Sequence, residues 1–441
     1  MKGKIKDYFV IGFALFAMFF GAGNLIFPPT LGRMVGSSYF ISILGFLITG
    51  VGLPLMGILS CIKSGGDFQS MASKVGRIFA LITTSALILA IGPMLAIPRT
   101  AATTFELSLQ PFFPSISPFI AILLYFIINL VFVLRPSSII DNIGKFLTPA
   151  LLVMLSLIIV KGIVSPIGEI VNTNYNNVLS NSLLEGYQTM DAMASVIFAS
   201  IIISSVKSKG YKTSSEISFA TIASSIIAVV GLSFIYGGLL YLGAQTTGLF
   251  SGDIPRTKLV SDISKSVLGN FGAIALGISV GLACLTTSIG LTATGAEFFT
   301  KLSKGKISYT TNVIIITIAS MVIALRGVDI IISLAAPILQ ILYPVVIILI
   351  IVSLFGNFIK NNRIIAITVY TALAVSILST FNSLMPNVTP LKAILELIPL
   401  ASLGFAWVIP ALIAFLVSYF LFRNKKLSDN TNSDEDLENV S

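Results

Sequence analysis

Few residues in this chain are able to do chemistry. There is no histidine, and the two cysteines, Cys61 and Cys284, sit in separate apolar runs. The usual general base, proton shuttle and metal ligand are therefore missing, and no disulfide framework is in reach. No nucleophile stands beside a base, which argues against an enzyme. Three clusters remain. The first is Phe19-Phe20-Gly21-Ala22-Gly23-Asn24, with Pro28-Pro29 just beyond it. The second runs Gly186-Tyr187-Gln188-Thr189-Met190-Asp191-Ala192-Met193-Ala194-Ser195 and sets one carboxylate among small polar residues. The third runs from Gly277 to Gly290, where Ala283, Thr286, Thr287 and Gly290 share one helical face.

Each cluster implies a chemistry and has a plainer alternative. Two glycines in a helix interior cost about 1 kcal/mol each relative to alanine. A helix broken at Gly21–Asn24 frees amide N–H groups at the start of one half and carbonyls at the end of the other. The first attract a carboxylate and the second a cation. Gly21 and Gly23 would otherwise serve close helix packing. Hydroxyls in the third cluster can coordinate a hard cation, or can bond back to their own helix carbonyls. Asp191 is a candidate for carrying a proton, or is an interfacial, helix-capping acid. Arg99 and Glu106 read as an outer gate or, by preference, as interfacial or structural pairing. Glu297 and Lys301 form an i,i+4 surface pair.

The elements that position these residues follow from composition. Of 441 residues, 55% are hydrophobic and 10% are charged, against about 25% charged in soluble domains. The mean hydropathy is +0.99. Apolar runs long enough to span a bilayer recur at roughly 8–34, 38–62, 78–104, 117–134, 142–164, 187–206, 214–243, 268–299, 307–325, 328–355, 363–384 and 396–422. The expected fold class is an all-α integral membrane protein of twelve transmembrane helices. Lys2, Lys4 and Lys6 lead into an apolar run too long for a cleavable signal, so this is read as span one.

The net charge of +9 resides in short segments between the spans, which fits orientation in a lipid bilayer rather than nucleic acid. Most of the 27 Lys and Arg residues fall on the side that carries both termini, which places the termini in the cytoplasm. Residues 424–441 are polar and acidic and read as a disordered tail. Spans one and six, five helices apart, both look interrupted, the pattern of a transporter with inverted repeats. The expected division is a five-helix repeat over 1–166, a second, inverted one over 187–355, two extra helices over 363–422, and the tail.

FFGAGNLIFPP in span one, GFLITGVGLPL in span two, IGPMLAIPRTAATTFE in span three and EGYQTMDAMASVIF in span six resemble the bacterial branched-chain amino acid:cation symporters. That family belongs to the amino acid–polyamine–organocation group, with the LeuT-type fold of five-plus-five inverted repeats. The resemblance runs through most of the chain, strongest from span one to span eight. Gly21, Gly23 and Asn24 also match the Gly-x-Gly-Asn break of sodium-coupled relatives with this fold. Ala283, Thr286 and Thr287 match their Ala-x-x-Thr-Ser, with Thr287 in place of the serine.

The resemblance implies a sodium ion held by the carbonyls of Ala17, Phe20 and Ala283 and the hydroxyls of Thr286 and Thr287. It implies that the substrate carboxylate meets the amides near Ala22, Gly23 and Asn24. The amine meets the unwound part of span six at Thr189, Met190, Asp191 and Ala192. Leucine, isoleucine and valine are the implied substrates, since a pocket of Phe, Ile, Ala and Met discriminates weakly between aliphatic side chains. Na+ is the implied coupling ion, with no other cofactor and no obligate protein partner. The alternative is a proton-coupled carrier of another neutral amino acid using Asp191. The expected setting is the bacterial cytoplasmic membrane.

Overall fold

The computed structural model describes residues 2–134, 138–250, 253–359, 361–385 and 389–423. The acidic tail over 424–441 lies outside the described residues. Among them, seven helices are long and apolar enough to cross a membrane and four shorter ones are apolar; taken with the breaks and the sequence expectation, the helices group into twelve spans. These are Lys2–Phe19 with Ala22–Val35; Tyr39–Leu47 with Leu53–Lys63; Arg77–Leu109; Pro118–Leu134; Ser138–Val164; Val178–Tyr187 with Asp191–Ser208; Ser214–Ala244; Arg256–Leu302; Tyr309–Ala324; Val328–Phe355; Asn362–Leu384; and Val408–Phe422. Helices satisfy their backbone polar groups internally, which is what hydrocarbon demands. Side chains such as Ile82, Val230 and Phe420 project from the outer surface, where lipid tails can solvate them.

Several boundaries differ from the sequence expectation, three of them for a reason visible in the structure. Span six begins at Val178, not at residue 187, because Ser180, Asn181, Ser182 and Glu185 hide its first half from a hydropathy reading. Span two satisfies part of that polarity: Ser42 Oγ lies 2.8 Å from Ser182 Oγ, and Thr49 Oγ1 donates to the Leu183 carbonyl at 2.8 Å. Span eight is longer than expected and bends at Gly269, whose φ of +67° suits glycine. Span twelve starts at Val408 rather than residue 396, after a turn around Ala401–Leu403.

Span three is one run from Arg77 to Leu109. It is bent where Gly92 leaves helical geometry and Pro93 supplies no N–H. This bend puts Arg99 well inside the run instead of near its end.

Backbones approach closely where side chains are small, as in membrane helix packing generally. Spans one and seven cross with Gly32 against the Leu240 carbonyl and Gly243 against the Pro29 carbonyl. Gly186 of span six faces Thr49 of span two, and Gly57 of span two faces Ser195 of span six. The two broken spans are thereby clamped against spans seven and two.

Candidate functional site

The break in span one lies at Phe20–Gly21, between Phe19 and Ala22. Phe20 still donates to the Phe16 carbonyl at 2.8 Å. Gly21 is extended, and its N–H turns to Asn24 Oδ1 at 2.9 Å. Asn24 sits three residues into the new helix and reaches back to its cap, as the acidic member of a capping box does. The Ala17 carbonyl therefore loses the i+4 amide that an unbroken helix would give it. The new half-helix opens with the amides of Ala22 and Gly23 free of helical acceptors.

Span six breaks over Gln188–Met190. Met190 adopts left-handed geometry (φ 63°, ψ 9°), rare for a residue with a side chain. Thr189 Oγ1 caps the Gly186 carbonyl at 2.9 Å and accepts from the Asp191 N–H at 3.3 Å. Asp191 opens the second half-helix, where the helix dipole favours a negative charge.

The two breaks face each other across a narrow cavity of about 40 Å³, lined by Ala22, Asn24, Thr189, Met190 and Asp191, with Gly21, Arg99 and Thr287. That is room for a few waters. Its remaining wall is mostly apolar, with Met18, Phe19, Ile91, Ala96, Ala194, Phe198 and Leu291 beside Thr100. Of the residues assigned to substrate from sequence, Gly23 and Ala192 are buried but do not line the cavity. Gly23 backs onto Arg99, and Ala192 is already helical.

Asp191 is 2% exposed. Its Oδ2 accepts from Asn24 Nδ2 at 2.7 Å and from the Tyr236 hydroxyl at 2.7 Å. Asn24 also contacts the Tyr236 hydroxyl directly. Spans one, six and seven thus meet at one carboxylate. Both of these bonds go to Oδ2; the Thr189 hydroxyl also stands near the carboxylate, which belongs to a residue that faces the cavity. Sequence reasoning missed Tyr236; a lone tyrosine amid apolar residues carries no local signal.

On span eight, Thr286 Oγ1 bonds back to the Ala283 carbonyl at 2.9 Å. Thr287 Oγ1 is shielded from solvent and has no partner. The Thr287 methyl lies 3.7 Å from where a Cβ on Gly21 would stand, so this residue abuts the break in span one. An orphaned hydroxyl is a neutral oxygen of the kind that suits a small hard cation. Of the five sequence-assigned ion ligands, Thr287 alone lines the cavity; Ala17, Phe20, Ala283 and Thr286 are not part of its lining. Among the described residues, no group of three or more His, Cys, Asp or Glu side chains is placed to hold a metal.

Arg99 corrects the sequence expectation of an interfacial or structural pair. It is 3% exposed and lines the cavity. Its Nη1 donates to the Gln188 carbonyl at 2.8 Å, in the span-six break. Its guanidinium lies 5.3 Å from the Phe27 ring centroid, and that of Arg256 lies 5.4 Å from the same ring. Glu106 does not join it: its carboxylate accepts from Thr257 Oγ1 at 2.7 Å and from the Val328 N–H at 3.0 Å, tying spans three, eight and ten together. The Lys301–Glu297 pair forms at 2.6 Å on the surface.

A family model described as branched-chain amino acid transport protein matches residues 4–425. The branched-chain amino acid permease BraB of Bacillus subtilis (strain 168) is 39% identical over 427 residues, which covers 95% of this chain and 96% of that protein. A putative branched-chain amino acid carrier protein of Staphylococcus aureus (strain USA300) is 36% identical over 439 residues, covering 94% and 96%. Among solved structures, the inward facing conformation of Mhp1 superposes with a TM-score of 0.61 at 14% identity, covering 94% of this chain and 90% of that one. A manganese transporter from Eremococcus coleocola, in complex with an aromatic bis-isothiourea substituted compound, gives a TM-score of 0.54 at 15% identity, covering 93% and 94%. At these identities the two structures speak for the fold alone.

Proposed function

The chain belongs to the family of branched-chain amino acid transport proteins, and from that premise we propose that it is a secondary symporter carrying leucine, isoleucine and valine with Na+. It is a multi-pass bacterial membrane transporter and not an enzyme. The observation that carries the proposal is the cavity between the two broken helices. Polar termini line one part of it, and Met18, Phe19, Ile91, Phe198 and Leu291 offer an apolar wall for an aliphatic side chain. An α-amino acid needs that combination. A methylene in such a wall is worth only about 1–3 kcal/mol, so the three branched substrates are accepted together.

In this reading the carboxylate meets the Ala22 and Gly23 amides, and the amine meets the segment Thr189–Asp191. The ion bridges span one and span eight through Thr287 and the freed Ala17 carbonyl, joined by Phe20, Ala283 and Thr286. Binding there ties the two helices together and biases alternating access, a rigid-body motion of spans one, two, six and seven against spans three, four, five, eight, nine and ten within two inverted five-helix repeats, over 1–166 and, with span six starting at Val178, 178–355. The cytoplasmic membrane is the setting, with both termini inside. A second reading, proton coupling through Asp191, is favoured by that carboxylate's burial in the cavity.

The test is uptake of radiolabelled leucine into proteoliposomes under an imposed Na+ or proton gradient, with wild type and Thr286→Ala/Thr287→Ala. Sodium-driven uptake that the double variant loses supports the symporter and its ion site. Uptake driven by protons alone and indifferent to those substitutions turns the assignment to Asp191.

A further inference from the structure

Arg99 is a buried cation that the ion and substrate assignments above leave unused. Its three nitrogens are in different situations. Nη1 is committed to the Gln188 carbonyl at 2.8 Å. Nε is buried without a partner. Nη2 makes no hydrogen bond among the described residues and stands 2.6 Å from where a Cβ on Gly23 would be. Nε and Nη2 form one edge of the guanidinium, the edge that grips a carboxylate with two parallel hydrogen bonds. The plane of the group is held by the Phe27 ring on one side and by the Gln188 bond at the opposite corner. The free edge therefore adjoins the start of the second half of span one, where the Ala22 and Gly23 amides also lack acceptors.

The same cavity carries one buried charge of the opposite sign. Asp191 and Arg99 both line it, yet among the described residues no ion pair joins them. Two unpaired charges in a low-dielectric site are costly unless each finds a partner. A zwitterion with its carboxylate at Arg99 and its ammonium at Asp191 supplies both at once. A ligand bearing one charge leaves the other group bare.

We infer that Arg99, through its free Nε/Nη2 edge beside Gly23, recognises the substrate carboxylate and, with Asp191, restricts this transporter to zwitterionic α-amino acids. The inference rests on the amino-acid reading above and adds a residue and a selectivity rule to it.

The experiment uses purified full-length protein and three probes: leucine, leucinol (no carboxylate) and 4-methylpentanoate (no amine). Binding is read by competition against radiolabelled leucine and by ligand-dependent thermal stabilisation. Wild type binds leucine at least about 100-fold more tightly than either analogue, since each leaves a buried charge unpaired. Arg99→Gln weakens leucine by about 100-fold while leaving leucinol nearly unchanged, so the leucine/leucinol ratio collapses. Arg99→Lys restores part of that ratio, because it keeps the charge and loses the two-pronged geometry. If Arg99→Gln weakens leucine and leucinol by the same factor, Arg99 has a structural role and the inference fails. A wild type that binds leucine and leucinol equally also overturns it, leaving the substrate class intact. A wild type that binds no leucine overturns the substrate reading itself, and the inference with it.

Discussion

Asn24 and Asp191, 167 positions apart, meet across two helix breaks, with Asn24 Nδ2 donating to Asp191 Oδ2 at 2.7 Å. The other end of the same amide accepts the Gly21 N–H at 2.9 Å. The amide therefore has one permitted orientation, with its donor toward the carboxylate and its acceptor toward the backbone. Asn24→Asp replaces the donor with a second carboxylate, and a buried charge left unpaired costs about 3–5 kcal/mol. The expected result is loss of leucine uptake by about 100-fold or more, and Asp191→Asn alone is similarly impaired. The exchange Asn24→Asp/Asp191→Asn puts a donor back opposite an acceptor and recovers part of the uptake. An exchange variant no better than either single change would argue that the two side chains act separately.

Gly21 and Gly23 differ in what a methyl group would meet. At Gly21 the nearest atoms to a new Cβ are 3.7 Å away, and the backbone is extended with φ near −119°. At Gly23 the Arg99 Nη2 would be 2.6 Å away and its Cζ 2.9 Å. Gly21→Ala is expected to transport within about threefold of wild type, and Gly23→Ala to lose about tenfold or more and to melt several degrees lower, since overpacking that displaces a side chain costs about 1–3 kcal/mol. Parallel uptake and thermal-melt measurements decide this; equal losses at the two positions would contradict it.

Thr286 and Thr287 are adjacent, and their hydroxyls are not equivalent. Thr286 Oγ1 already serves the Ala283 carbonyl at 2.9 Å, whereas Thr287 Oγ1 has no partner. Thr287→Ala is expected to raise the Na+ concentration for half-maximal uptake about tenfold, and Thr286→Ala by less, because a lost oxygen contact to a charged group is worth about 1.5–3 kcal/mol. Thr287→Ser, which keeps the oxygen, stays near wild type. Sodium titrations of initial uptake rates provide the check, and an unchanged titration in Thr287→Ala removes this residue from the ion site.

The crossing of spans one and seven tests packing rather than transport chemistry. Gly243 lies directly against the Pro29 backbone, and a carbonyl cannot rotate away as a side chain can. Gly243→Ala is expected to cost about 1–3 kcal/mol, read as a melting temperature lowered by several degrees in detergent. Gly290→Ala, on span eight with nothing within 4 Å of the new Cβ, serves as the control and should melt like wild type.

Much of this architecture is legible in the sequence because hydrocarbon punishes exceptions. Two glycines and an asparagine inside an apolar run stand out, and the break at Gly21 follows from them. Asp191 stands out for the same reason. The first half of span six stays hidden because Ser180, Asn181, Ser182 and Glu185 lower its hydropathy. Partners from span two, which no local window contains, make up for part of this. Arg99 is misread because span three is expected to stop at 104, which sets the arginine near its outer end. The bend at Gly92–Pro93 and the length of the run to Leu109 are what carry it inside, and apolar sequence on both sides of the arginine was the available signal. The pairing of Arg99 with the Gln188 carbonyl, and of Tyr236 with Asp191, depends on tertiary contacts that no spacing rule encodes.

The smallness of the cavity has a consequence for populations. A space of about 40 Å³ holds a few waters and is too small for a leucine. If leucine binds between the two breaks as proposed, it binds arrangements in which they stand further apart, and by mass action it depletes this one. Adding substrate should shift the ensemble away from it in proportion to the difference in affinity between the two arrangements, and by no more than that.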